Sequence, residues 1–144
     1  MKGKMETAQI LKPAVNKETG LGTGRVMSHF VFDELPHYHK LLVTTDGGMM
    51  TYPTLEQKAQ IIENTVETLK ALGYENPKIA AVAAVEKVNP KMPETVEARE
   101  LKEMNERGEI KDCVVEGPIS LDIALDKECA CLLYTSPSPR DRQK

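Results

Sequence analysis

Three short stretches carry the residue types that could do chemistry. Thr44-Thr45-Asp46-Gly47-Gly48 sets a carboxylate beside two glycines. Glu86 to Thr95, EKVNPKMPET, carries Lys91 and ends on a hydroxyl. Glu116-Gly117-Pro118 places a glycine beside a carboxylate. Asp46 could hold a ligand hydroxyl or a water, and a turn aspartate that tolerates a sharp bend has the same signature. Lys91 could meet a phosphate as a point charge, or simply stand in solvent. Gly117, just before a predicted helix, would let the backbone approach a ligand where free N–H groups favour an anion. An ordinary strand-to-helix turn uses the same residues.

The remaining reactive side chains form weaker patterns. His37 and His39 would share a face on a strand, but a metal needs at least a third ligand and none is suggested. His29 sits in a strand-like run and reads as a hydrogen-bonded core residue. Cys129 and Cys131 do not have zinc or redox spacing, and Cys113 reads as a small buried hydrophobe. GLGTG, Gly20 to Gly24, is too short for a dinucleotide fingerprint and precedes a strand rather than a helix. There is no P-loop and no G-x-S-x-G elbow.

The elements that must hold these stretches follow from periodicity. Thr7 to Asn16 reads as a short helix capped by Thr7 and shortened or kinked by Pro13. Arg25 to Phe32 and Lys40 to Asp46 read as strands, close enough in sequence to pair antiparallel. In Thr54 to Leu72, Leu55, Ala59, Ile62, Val66 and Leu69 form one apolar stripe. Thr54 with Gln57 makes a capping box, and Gly73 supplies the stop. Lys78 to Val85 is apolar on both faces, the pattern of a parallel strand covered on each side, and its four alanines predict a closely packed helix. Thr95 to Arg107 reads as a charged surface helix stopped by Gly108. Asp112 to Gly117 reads as a strand, and Ile119 to Ala130 as a helix. From Lys40 onward strands and helices alternate, which predicts an α/β fold with a mostly parallel sheet. In such sheets ligands bind beyond the carboxyl ends of the strands, where the three stretches fall.

Composition bounds the partners. The 144 residues fit one domain, with 19 Lys and Arg against 22 Asp and Glu. That balance argues against a nucleic-acid partner. With no Trp and few aromatics, stacking platforms for bases or sugars are not expected. Three cysteines are too few for a disulfide scaffold, no apolar run could span a membrane, and no signal peptide is evident. The expectation is a cytoplasmic protein without a membrane partner. Residues 132–144 break the pattern with Ser136-Pro137-Ser138-Pro139 and a basic run. They read as a non-native disordered tail, leaving residues 1–131 as the folded part.

Longer stretches are more specific than any single residue. LLVTTDGGMMTYPTLEQKAQIIENTVETLKALG, NPKIAAVAAVEKVNPKMPETVEA and NERGEIKDCVVEGPISLDIAL resemble the phosphate acetyl/butyryl transferase family, its phosphate butyryltransferase branch above all. The opening MKGKMETAQILKPAVNKETGLGTGRVMSHF resembles it too. The resemblance implies acyl-CoA and inorganic phosphate as substrates, acyl phosphate and CoA as products, and no cofactor. It implies the three-layer α/β/α fold shared with isocitrate and isopropylmalate dehydrogenases, its active site in a cleft between domains, and a homo-oligomer at full length. Lys12 falls where family members carry Arg or Lys, a contact for phosphate or CoA phosphates. Asp46, Lys91, Thr95, Gly117 and Asp122 match family motif positions on the cleft side. Asp122 in a helix first turn is also favourable by charge alone. The family's Ser-Arg pair and a nearby aspartate lie beyond the residues present here. The resemblance therefore implies the middle of an enzyme, inactive alone. The alternatives are a non-catalytic small-molecule-binding domain of the same fold, and a dehydrogenase-type enzyme. The latter needs an aspartate cluster that Asp46, Asp112, Asp122 and Asp126 do not form by spacing.

Overall fold

A computed structural model of the chain describes residues 3–36 and 38–126. Eight elements follow in order: α1 (Thr7–Ala14), β1 (Phe30–Asp33), β2 (Leu42–Thr45), α2 (Leu55–Ala71), β3 (Lys78–Val82), α3 (Pro93–Glu106), β4 (Val114–Ile119) and α4 (Leu121–Leu125). The strands form two small sheets, β1 antiparallel to β2 and β3 parallel to β4. Only the second is parallel, so the described residues form a mixed α/β fold rather than one mostly parallel sheet.

α2 forms as its periodicity predicts. The Gln57 N–H donates to the Thr54 hydroxyl, the Thr54 N–H donates to the Gln57 side chain at 2.9 Å, and Gly73 terminates the helix at φ 88°. Ala59, Ile62, Val66 and Leu69 are buried, and Ile61 and Thr65 widen the stripe. At α1 the cap is Glu6, one residue earlier than expected, reciprocated by Gln9. The helix continues one residue past Pro13 and buries nothing.

The core lies between α2, α3 and one face of β3–β4. Ala59, Ile62 and Val66 meet Leu101, Ile110, Cys113 and Val115 there, with Ile79 and Ala81 packed against them. α3 is therefore not the surface helix expected from its charges. It starts two residues early, with Pro93 at the first helical position, where a missing N–H costs nothing. Thr95, Ala98 and Leu101 then form a narrow buried stripe. β3 alternates: Ile79 and Ala81 face the core, while Ala80 and Val82 are exposed. Among the described residues it is covered on one face, not two.

Two further corrections concern boundaries. Residues 25–28 do not join β1, because side chains of α2 occupy their backbone. The Val26 N–H donates to Gln60 and its carbonyl accepts from Asn64 at 2.8 Å, while Arg25 pairs with Glu67. β4 runs on through Gly117 and Pro118 to Ile119, so Glu116-Gly117-Pro118 is strand rather than loop, and α4 starts only at Leu121. The predicted remainder of that helix, residues 132–144, His37, Cys129 and Cys131 lie outside the described residues.

Candidate functional site

The carboxyl ends of β3 and β4 open into a cleft of about 360 Å³. Glu86 and Lys87 enter it from the segment after β3, Arg99 and Lys102 from α3, and Glu116 and Gly117 from β4. Val88, Pro118 and Ile119 supply its apolar wall. Three cations thus meet two carboxylates around one hollow. Lys102 Nζ donates to Glu116 Oε1 at 2.6 Å across the α3–β4 seam. That hydrogen bond is the main reason the Lys102 ammonium is held above its usual pKa. Arg99 turns its Nε to Glu103 at 2.9 Å along its own helix.

The cleft is built by close backbone approach. A Cβ on Gly117 would stand 2.7 Å from Ala81 Cβ and 3.2 Å from the Ala98 carbonyl oxygen. The close approach of α3 falls on Gly117 of β4, where glycine permits it, and not on the predicted alanine run of Lys78 to Val85, whose Ala80 and Ala84 are exposed. Asn105 fixes the other end of the seam. Its amide donates to the carbonyls of Ile110 and Cys113, both at 3.0 Å, and its oxygen accepts the Val115 N–H at 3.1 Å. Lys58 of α2 pairs with Glu97, holding α3 from the opposite side.

A second, more open hollow of about 620 Å³ adjoins in sequence. Val82, Ala83, Met92 and Leu121 give it an apolar lining, with Glu94 and Ser120 as polar members.

The sequence-predicted residues divide around this site. Gly117 lines the first cleft. Thr95 is fully buried and braces the segment after β3. Its hydroxyl accepts the Asn89 N–H at 2.9 Å and lies 2.8 Å from the Met92 carbonyl, so it acts on the loop's shape. Lys91 is exposed, with its N–H on the Asn89 side chain at 3.0 Å. Asp122 is exposed at the start of α4. The Ser120 hydroxyl, then the Ile123 N–H, holds its carboxyl below the usual range. Lys12 is exposed on α1. Asp46 closes a turn after β2, with Oδ1 accepting the N–H groups of Gly48 and Met49 at 3.2 and 3.0 Å, while Oδ2 is buried without a partner among the described residues. Lys12, Asp46, Lys91, Thr95 and Asp122 line neither hollow, so Gly117 is the one predicted substrate-binding residue that does. Arg99 and Lys102 were not singled out from the sequence. Their signal is a three-residue spacing, which puts both cations on one face of the helix that follows β3.

The other candidates are placed as follows. His29 is exposed and precedes β1, so it is not the core residue expected; its backbone carbonyl accepts the Thr45 hydroxyl at 2.9 Å. His39 stacks obliquely on Tyr38. Among the described residues no three His, Cys, Asp or Glu gather as a metal site, and no helix is long and apolar enough to cross a membrane. Cys113 is buried in the core, as expected.

Comparison with known proteins supplies what geometry alone does not. A family model, phosphate acetyl/butaryl transferase, matches residues 1–137. The chain belongs to that family. Among curated relatives it is 49% identical to a phosphate butyryltransferase of Clostridium acetobutylicum over 130 residues, 90% of this chain and 43% of that protein. A phosphate acetyltransferase of Thermotoga maritima is 45% identical over 130 residues, again 90% of this chain and 44% of that protein. Among solved structures, a branched-chain phosphotransacylase from Enterococcus faecalis V583 superposes with a TM-score of 0.79 at 34% identity, covering 95% of this chain and 48% of that one. The transferase-family chain thus spans less than half the length of these relatives.

Proposed function

We propose that this chain forms one wall of the active-site crevice of a cytoplasmic phosphate butyryltransferase. The reaction joins acyl-CoA and phosphate: a phosphate oxygen attacks the thioester carbonyl, the C–S bond breaks, and CoA leaves as its thiolate. Phosphate must be stripped of water and aimed, and charge grows on sulfur, so fixed cations are what the reaction needs. The observation that carries the reading is the cleft itself. Lys87, Arg99 and Lys102 converge at the carboxyl ends of two parallel strands, in a chain whose relatives are named as phosphate acyltransferases.

The neighbouring apolar hollow at Val82, Ala83, Met92 and Leu121 supports a short aliphatic acyl group such as butyryl. The exposed face of β3 supports a third layer, as in the isocitrate and isopropylmalate dehydrogenase-like architecture, with residues 1–131 as part of that larger unit. Thr95 and Gly117 shape the cleft. Lys12, Asp46, Lys91 and Asp122 stand outside both hollows, and this reading assigns them substrate contacts only within the complete crevice. It requires no cofactor, leaves the groups that act on the thioester to the facing wall, and takes the complete enzyme as a homo-oligomer.

The test is phosphate-dependent CoA release from butyryl-CoA. The 144-residue chain is assayed alone, and joined to the parts of the Clostridium acetobutylicum relative that flank the matched region on both sides. No turnover alone and turnover in the chimera, faster with butyryl- than acetyl-CoA, is the expected result. Clear turnover by the chain alone overturns the missing wall, and a preference for acetyl-CoA overturns the butyryl assignment.

A further inference from the structure

Lys102 does not wait in the cleft as an unoccupied cation. Its ammonium is engaged by Glu116 Oε1 at 2.6 Å, and the same carboxylate oxygen accepts the Gly117 N–H at 3.3 Å. Both partners keep contact with solvent, the side chains being 29% and 44% exposed. A half-exposed ion pair of this kind gains little over its hydrated parts. A phosphoryl group offers more: several oxygens and more than one charge, able to meet Lys102, Arg99 and Lys87 together.

We infer that Glu116 is a built-in counter-anion, holding Lys102 in place in the empty cleft and giving it up to a phosphoryl oxyanion when substrate enters. This rests on the reading above that the cleft takes a phosphate-bearing substrate. Exchange has a specific consequence. Glu116 competes with the ligand for Lys102 and also repels it, so neutralising Glu116 tightens binding instead of weakening it. A purely structural ion pair predicts the opposite sign. The pair also keeps Lys102 extended toward β4, so the cation is already aimed when the anion arrives, and less rotamer freedom is lost on binding. The oxyanion could come from inorganic phosphate or from the phosphate groups of CoA, and both are used as probes.

Inorganic phosphate and CoA are titrated calorimetrically into the 144-residue chain, Glu116→Gln, Lys102→Gln and the double variant. Glutamine at 116 keeps an oxygen for the Gly117 N–H. The expected result is that Glu116→Gln binds one of the probes about fivefold tighter, the size of a modest ion-pair term. Lys102→Gln binds it more weakly, and Glu116→Gln gains nothing once Lys102 is gone. The probe that responds identifies the source of the phosphoryl group. Equal or weaker binding by a folded Glu116→Gln, with the parent chain binding normally, overturns the exchange and leaves the functional reading standing. Binding of neither probe by any variant overturns the exchange, while the functional reading stands or falls on the chimera assay above. Should Glu116→Gln unfold, Glu116→Asp keeps the charge but shortens its reach. It is expected to tighten binding by a smaller factor, and failure to do so overturns the exchange.

Discussion

Gly117 and Ala81 stand so close across the parallel β3–β4 pair that a Cβ on Gly117 would lie 2.7 Å from the Ala81 Cβ. The neighbours on the other sides are the carbonyl oxygens of Ala81 and Ala98, at 3.1 and 3.2 Å, which cannot swing away as a side chain can. Gly117→Ala must therefore push β4 off α3 and open the seam that Lys102 and Glu116 bridge. The expected cost is about 1–3 kcal/mol, the usual penalty for overpacking, read as a lower urea midpoint. Adding Ala81→Gly removes the nearest clash only, so the pair recovers part of the loss. Wild-type stability in Gly117→Ala alone would show that the strand has slack.

Thr95 makes a second, independent prediction. It is completely buried, and its hydroxyl is the acceptor for the Asn89 N–H. Thr95→Val keeps the shape and removes that acceptor, leaving a partly buried donor unpaired at a cost of about 1–3 kcal/mol. Thr95→Ser restores the oxygen and should recover most of the loss. Urea unfolding of the three proteins decides it: a Ser midpoint below the Val midpoint would make the methyl group, and not the hydroxyl, the brace.

The exposed pair Lys70–Asp112, 2.7 Å apart, sets a pH dependence. The hydrogen bond from Lys70, reinforced by its charge, holds the Asp112 carboxyl below its usual value, and the same bond holds the Lys70 ammonium above its own. A lowered carboxyl stabilises the fold above its unfolded-state pKa, and the gain disappears as pH falls through the lower folded value. A raised ammonium stabilises below its unfolded-state pKa, and the gain disappears as pH rises through the higher folded value. The difference between the parent chain and Asp112→Asn should therefore be flat between about pH 5 and 9, shrink in stronger acid or base, and fade in about 1 M salt. Asparagine suits the site because Asp112 has φ 59°, a region Asn also tolerates. A difference that persists at about pH 2 would mean the pair is not its source.

Much of this architecture was legible because local signals agreed with one another. In α2 the apolar period, the Thr54–Gln57 box and Gly73 all point to the same helix. The strand–helix–strand order of β3, α3 and β4 followed in the same way, and with it the carboxyl-end cleft. What stayed hidden depended on distant partners. The β-rich run at Arg25 gives no hint that Gln60 and Asn64 will take the backbone of Val26. α3 hides its buried stripe at Thr95, Ala98 and Leu101 among charged neighbours. The cations of the cleft were hidden by the same helix: Arg99 and Lys102 read as solvated charges until β4 brings Glu116 to Lys102 and both cations line one hollow.

Cys113 is the last test, since it separates a core thiol from a reactive one. It is 8% exposed within the cluster of Val66, Leu101 and Val115. Burial, and then the charge of Asp112, pushes its thiol pKa up. The nucleophile in alkylation is the thiolate, so both access and ionisation work against reaction. At about pH 8, alkylation mapped by peptide mass should be slower at Cys113 by roughly tenfold or more in the folded chain than in urea. The rate should rise only as the chain opens. Equal rates in the two states would mean that α3 does not close over β4 in solution, and the cleft built on that contact would lose its floor.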